Sequence, residues 1–335
     1  MATALKRILS FKEAPIVFLI LVVALLCGVF VPNFLTAANL VNILSQSATV
    51  GIMAIGITLV IISGSGGIDL SAGSILGVSS IVMAMTIIPP ELYRDTAAML
   101  VLPNDYWVIF KALVFCMGVG MFCGFLNGAM VAWVGLPPFI ATLAMMTAAR
   151  GLAAYISAGI PTYGLPTSLV WVGQNSLWFV PVPVALMIAL AVIVHIILTR
   201  TTYGMSLLAV GGNRETSRFC GMNVKGTLIS VYVICGLFAA VGGVILSARS
   251  NQAHPDAGIG YELSAISAAV LGGTSMMGGS GGVLGAVLGA VFLSLIQNPI
   301  NLLNIPVAYM KPIMGALIVI AVLLDQWRKK QSIGD

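Results

Sequence analysis

The chain has 335 residues, of which 59% are hydrophobic and 7% charged, with a formal net charge of +5 and a mean hydropathy of +1.09. Soluble domains carry about 25% charged residues, so this chain cannot cover a water-facing surface. An ordinary soluble enzyme or nucleic-acid binder is excluded, and the positive excess is read by its position relative to a bilayer.

A helix needs about 20 apolar residues to cross the hydrocarbon core. On that scale there are ten candidate spans: 15–32, 43–62, 72–88, 107–134, 138–158, 182–199, 227–247, 262–278, 282–303 and 309–325. The first follows the basic residues Lys6, Arg7 and Lys12 and has no small-residue cleavage site, so it reads as a span and not as a signal peptide. With the start inside, Arg200, Arg214, Arg218, Lys225, Arg328, Lys329 and Lys330 also fall on the inner side, making ten of the fifteen basic residues. Arg94 and Arg249 fall in outer loops, Lys111 and Lys311 at outer helix ends, and Arg150 inside a span. The acids Glu91, Asp95, Asp105, Asp256 and Glu262 gather outside. This distribution follows the positive-inside rule. The expected fold is an all-α polytopic membrane protein of about ten transmembrane helices, both termini cytoplasmic. One transmembrane domain covers 1–335, with a cytoplasmic loop at 200–226.

Two glycine-rich segments interrupt the helical pattern, Ser63–Gly73 and Leu271–Gly282. Each faces inward in this topology and is followed by small residues four apart, Gly73/Gly77 and Gly281/Gly285/Gly289. Gly120, Gly124 and Gly128 repeat the spacing in the fourth span. Such ridges let helix backbones approach closely, and packing is the favoured reading for them. The matching pair of interruptions suggests two related halves, and interruptions of this kind point towards a transport pathway.

Little chemistry is assembled along the chain. Cys27, Cys116, Cys123, Cys220 and Cys235 show no disulfide or zinc spacing, and Cys116 and Cys123 share a helix face as small buried residues. His195 and His254 lie far apart, and no catalytic group or metal site can be built. No Gly-Lys dipeptide exists, so the phosphate-cradling loop of many ATPases is absent. Arg150 is either a functional intramembrane charge or a side chain snorkelling from near a helix end. Asp69, in the first interruption, is read as a cap on the third span in preference to a proton carrier. The longest cytoplasmic loop runs from Arg200 to Gly226. There Gly211-Gly212 breaks the chain, Asn213 is a good N-cap and Gly221 a good terminator, which predicts about two helical turns from Arg214 to Cys220. This piece is a docking lug for a partner or a solvated, charge-anchored loop.

A run of motifs resembles the permease subunit of bacterial ABC importers for ribose, arabinose, galactose and similar sugars. The motifs are Asn39-Leu40-Val41-Asn42-Ile43-Leu44, Gly67-Ile68-Asp69-Leu70-Ser71-Ala72-Gly73-Ser74, Asn127-Gly128 and Pro137-Pro138-Phe139-Ile140-Ala141-Thr142-Leu143. They continue with Ala209-Val210-Gly211-Gly212-Asn213, Gly260-Tyr261-Glu262-Leu263 and Val270-Leu271-Gly272-Gly273-Thr274-Ser275. The resemblance implies a permease of the bacterial inner membrane, working by alternating access and not itself an enzyme. It implies three partners: a second permease copy, identical or related, a periplasmic sugar-binding protein, and a cytoplasmic ATPase with two nucleotide-binding halves. ATP and Mg would be bound by that ATPase and no cofactor by this chain. Gly211, Gly212, Asn213, Arg214, Glu215, Arg218 and Gly221 match the family's coupling helix. Thr216-Ser217-Arg218-Phe219-Cys220 departs from the Ala-rich continuation common there.

Under this resemblance Gln46, Ser47, Asp69, Asn127, Thr142 and Arg150 are candidates for the translocation path, with Ser45 and Thr147 beside them. For each polar residue a helix–helix hydrogen bond is the competing reading. Arg94, Lys111, Arg249 and Lys311 are candidates for meeting acidic surfaces of the binding protein. Two rival classes are an ion-coupled secondary transporter using Asp69 or Arg150, and a non-transporting scaffold or receptor.

Overall fold

The computed structural model describes residues 13–64, 66–88 and 104–306, with positions 312, 315 and 316. Arg94, Lys311, the basic residues 6, 7, 12 and 328–330, and nearly all of the tenth candidate span lie outside the described residues. The other nine candidates each coincide with a helix. These are α1 (Ala14–Phe30), α2 (Ala37–Ile62), α3 (Ala72–Ile87), α4 (Tyr106–Ala129, continued by a π turn over Met130–Val134) and α5 (Pro138–Ile156). After a short α6 (Thr167–Gln174) come α7 (Val182–Arg200), α8 (Thr202–Gly212), α9 (Arg214–Phe219), α10 (Val224–Ser250), α11 (Tyr261–Leu271) and α12 (Val283–Leu302). Six of them are long and apolar enough to cross a membrane, while α1, α3 and α11 are shorter apolar helices.

Polar residues start the spans. The Thr36 hydroxyl accepts from the Asn39 amide at the head of α2, and the Asp105 carboxylate accepts from Trp107 and Val108 at the head of α4, filling donors that a helix start leaves free. Helix α2 is the axis of the core, buried continuously from Ser47 to Ile62. Helices α4, α5 and α7 bury one face and expose Phe110, Phe115, Phe122, Phe139, Ile140 and Ile193 on the other, as lipid-facing helices do. The ridge Gly120/Gly124/Gly128 presses directly on the α10 backbone at Gly236, Tyr232 and Ile229. Packing is the role of that ridge.

One end of the bundle holds Ile62, Arg200, α8 and α9; the opposite end holds Ser250 and two small sheets. There β1 (Thr162–Tyr163) pairs antiparallel with β4 (Gln252–Ala253), Thr162 opposite Ala253, and β2 (Ser176–Leu177) forms a hairpin with β3 (Val180–Pro181).

Two passes are broken part-way through. From the Arg200 end, residues 63–64 and 66–71 run without helix until α3 begins, and Asp69 then adjoins Cys235, eleven residues along α10 and about 16 Å from its start. From the opposite end, residues 251–260 dip inward until α11 begins. Arg150, six residues before the end of α5, holds this dip about 9 Å below that end. The two helix starts meet, with Gly73 of α3 against the Gly258 carbonyl and the Glu262 carboxylate of α11.

The two expected interruptions lie at the same end of the bundle. The second expected break, Leu271–Gly282, lies at the Arg200 end against the first, where the Gly279 amide donates to the Ile62 carbonyl at 2.9 Å. The 251–260 dip, entering from the opposite end, carries fewer glycines and so leaves a fainter signal in the sequence. The expected span 262–278 also ends early, at Leu271. Gly272 packs on the Gly285 backbone, and Gly273, Gly278 and Gly279 take positive φ, a region that favours glycine.

Candidate functional site

The first break gathers a polar cluster inside the bundle. Asp69 is fully buried; its Oδ1 accepts from the Ser71 amide at 2.8 Å and the Ser71 hydroxyl at 2.6 Å. The Ser71 hydroxyl in turn accepts from Asn127 Nδ2 at 2.8 Å. Thr142 Oγ1 lies 3.3 Å from the Ile68 carbonyl, although its shorter bond, 2.9 Å, goes to Pro138 in its own helix. Three helices therefore converge on residues 67–71. Asp69 turns the chain into α3 through the amide of Ser71, the residue before the helix, and not through the free amides of the first turn. Asp69 Oδ2, Asn127 Oδ1 and the Tyr232 hydroxyl are buried with no hydrogen-bond partner among the described residues. Natural proteins keep few such atoms. The cluster thus offers polar atoms with bonding capacity in hand, halfway along the bundle.

Of the six path candidates, Asp69, Asn127 and Thr142 meet here. Gln46 and Ser47 do not: they sit nearer the opposite end of α2, Ser47 bonding the Leu44 carbonyl of its own helix and Gln46 Oε1 buried with no partner among the described residues. Ser45 and Thr147 also bond back to their own helices. Arg150 is half-buried, and its Nη1 donates to the carbonyls of Pro255 at 2.8 Å and Ala257 at 2.7 Å. It pins the dip. The sequence does not reveal Tyr232, Cys235 and Glu262 as neighbours of the break. Glu262 leaves Oε2 buried and unpartnered beside Gly73, while its Oε1 accepts from the Gly260 amide. Its signal in the sequence is an acid at the outer end of the expected span 262–278.

The coupling candidates form the expected small helix. Asn213 accepts from the Thr216 amide at 2.9 Å and starts α9. Gly221, at φ 78°, ends it, its amide bonding Arg218 while the Met222 amide bonds Ser217, a Schellman closure. Gly211 and Gly212 do not break the preceding loop; they are the last residues of α8, a helix within the expected cytoplasmic loop 200–226. Glu215, Arg218 and Phe219 are exposed, while Arg214 is turned inward and donates to the Gly64 carbonyl at 3.0 Å. Burial pushes the Arg214 guanidinium below its ordinary range, with the Tyr232 phenol acting in the other direction. A pocket beside α9 is lined by Arg214, Arg218, Lys225, Glu215 and Asn223.

At the opposite end Lys111 is exposed, 6.0 Å from the centre of the Trp107 ring. Arg249 lies partly buried beside Tyr261, with its carbonyl taken by Gln174. Of the two, Lys111 presents its charge outward.

Comparison with known proteins adds the family. The chain is 36% identical over 313 residues to the ribose import permease protein of Bacillus subtilis (strain 168), covering 93% of this chain and 91% of that one. It is 37% identical over 316 residues to the Escherichia coli (strain K12) ribose import permease protein, at 93% and 92% coverage. The L-arabinose transport system permease protein of Escherichia coli (strain K12) is 34% identical over 316 residues, at 94% and 90%. No solved structure matches the chain. The profile of one family, described as branched-chain amino acid transport system / permease component, matches residues 39–322. With long apolar helices and that match over most of its length, the chain is a multi-pass membrane permease and belongs to this family.

Proposed function

We propose that this chain is the membrane-spanning permease subunit of an ATP-driven importer that brings a monosaccharide into the cytoplasm by alternating access. The observation that carries the reading is similarity over more than nine-tenths of the chain to permeases named for ribose and arabinose. A further relative, 33% identical over 310 residues, is named for D-allose. The family's printed description mentions branched-chain amino acids, but these full-length relatives name sugars.

In this reading the Arg200 end is cytoplasmic, as the positive-inside rule places it. Helix α9 docks with a separate ATPase that binds ATP and Mg, a periplasmic binding protein delivers sugar at the opposite end, and a second permease copy completes the path. The broken passes, 63–71 with α3 and 251–260 with α11, are the inverted halves of an internal repeat. The helix starts that meet at Gly73 and Glu262 lie along the path, where loosely satisfied polar atoms suit a solute that must be released.

The test is uptake of labelled D-ribose, L-arabinose and D-allose into liposomes holding this chain, its ATPase and its binding protein. At least one sugar is expected to accumulate only with ATP and binding protein present. Uptake that survives without ATP hydrolysis and collapses with a protonophore points to ion coupling instead, and leucine accumulation with no sugar uptake overturns the sugar assignment.

A further inference from the structure

The coupling segment and both glycine-rich breaks meet at one backbone junction. Gly64 lies on the main chain of Gly211, Gly211 on the Ile62 carbonyl, and Gly278 on Gly64, so closely that a Cβ at any of these three glycines would strike backbone. Two hydrogen bonds lock the contact: Gly279 amide to Ile62 carbonyl at 2.9 Å, and Arg214 Nη2 to Gly64 carbonyl at 3.0 Å. Arg214 Nε is buried and makes no hydrogen bond among the described residues. The first residue of α9 therefore turns its charge into the protein, whereas Glu215, Arg218 and Phe219 face outward, Phe219 at 89% exposure.

We propose that Arg214 is a positioning residue that transmits movement of α9 to the first break, and that the ATPase is met instead by the outward face around Arg218 and Phe219. This rests on the ATPase-docking reading above and goes further by separating docking from transmission within a single helix. Five residues beyond Gly64 lies Asp69, and Ser71 then leads into α3 while bonded to Asn127. A displacement of α9 is delivered through Gly64 to that cluster and to the start of α3. Interlocked backbones with no side chains between them leave little room for slip. The second break moves with them through Gly278 and Gly279.

The test uses the full complex of this chain, its ATPase and its binding protein in liposomes, with a fluorophore on Ile68→Cys as reporter of the first break. Arg214→Ala is expected to keep the ATPase bound and its basal hydrolysis unchanged. It should lose binding-protein stimulation at least tenfold, and the fluorescence change on adding ATP and vanadate should disappear. Arg214→Lys, which retains a donor, is expected to restore part of both signals, and Phe219→Ala to release the ATPase. Arg214→Met, of similar length but without a donor, gives the same comparison if Arg214→Ala does not fold. The inference is overturned if Arg214→Ala releases the ATPase, which would make Arg214 a docking contact. It is equally overturned if that variant keeps full stimulation and the fluorescence change. A wild-type chain that holds no ATPase overturns the docking reading, and this inference with it.

Discussion

Asp69 shows how a buried acid is used as a turn. Two donors of Ser71 converge on Oδ1, and each buried donor left unmatched costs about 1–3 kcal/mol. Asp69→Ala is therefore expected to lower the thermal midpoint of the purified protein clearly more than Asp69→Asn, which keeps an acceptor at the Oδ1 position. Equal losses in thermal unfolding would show that the turn does not depend on that oxygen. Arg150 makes the same point for a cation. Its two bonds to Pro255 and Ala257 are charge-assisted and worth about 1.5–3 kcal/mol each by truncation. Arg150→Met is expected to destabilise the protein and to raise proteolysis within 251–260, and mass mapping of the fragments checks it. An unchanged cleavage pattern would detach the dip from Arg150.

At the scale of the element, glycine decides where helices touch. Gly120 and Gly236 each lie against the other's carbonyl, and Gly124 lies on the Tyr232 carbonyl, so α4 and α10 pack backbone to backbone. Gly124→Val is expected to force them apart, at a cost of about 1–3 kcal/mol or more, while Gly118→Ala, at a position with open space, should leave the unfolding midpoint near wild type. Similar midpoints for the two would refute the close approach. Helix α9 has only six residues and depends on its ends. Loss of a cap costs about 1 kcal/mol, so Asn213→Ala is expected to weaken retention of the ATPase in pull-downs, with partial rescue by Asn213→Asp.

Across the whole molecule, the six long apolar helices were legible from run length, because the bilayer imposes one length on every full crossing, whereas the early end of α11 at Leu271 was not. The cap at Asn213 and the terminator at Gly221 were legible because their chemistry is local. The dip at 251–260 was not legible. It holds His254, Pro255 and Asp256 and looks like any polar loop, and its contacts with Arg150 and Gly73, both distant in sequence, reveal its depth. Helix α8 is hidden in the sequence because Gly211-Gly212 reads as a break, when close contact with the Ile62 carbonyl is what requires Gly211. Long-range contact between backbones leaves a composition signal but no address. The cluster at Asp69 was half legible: its members were named, but their neighbours Tyr232 and Cys235 come from a helix 160 residues further along the chain.

The eleven residues of α11 have a consequence for how the protein is made. At 1.5 Å per residue the helix is about 16 Å long, roughly half the hydrocarbon thickness, and it is flanked on both sides by non-helical backbone whose polar groups lipid cannot satisfy. Such a segment cannot leave the translocon as an independent span. It has to wait until its packing partners α2 and α12 are present, so insertion of this region is a joint event with an obligatory order. A glycosylation acceptor placed in 251–260 should accordingly be modified in a chain truncated at 282 and released from the ribosome, and protected once α12 is included. Protection already complete at 282 would mean that α11 enters the bilayer unaided.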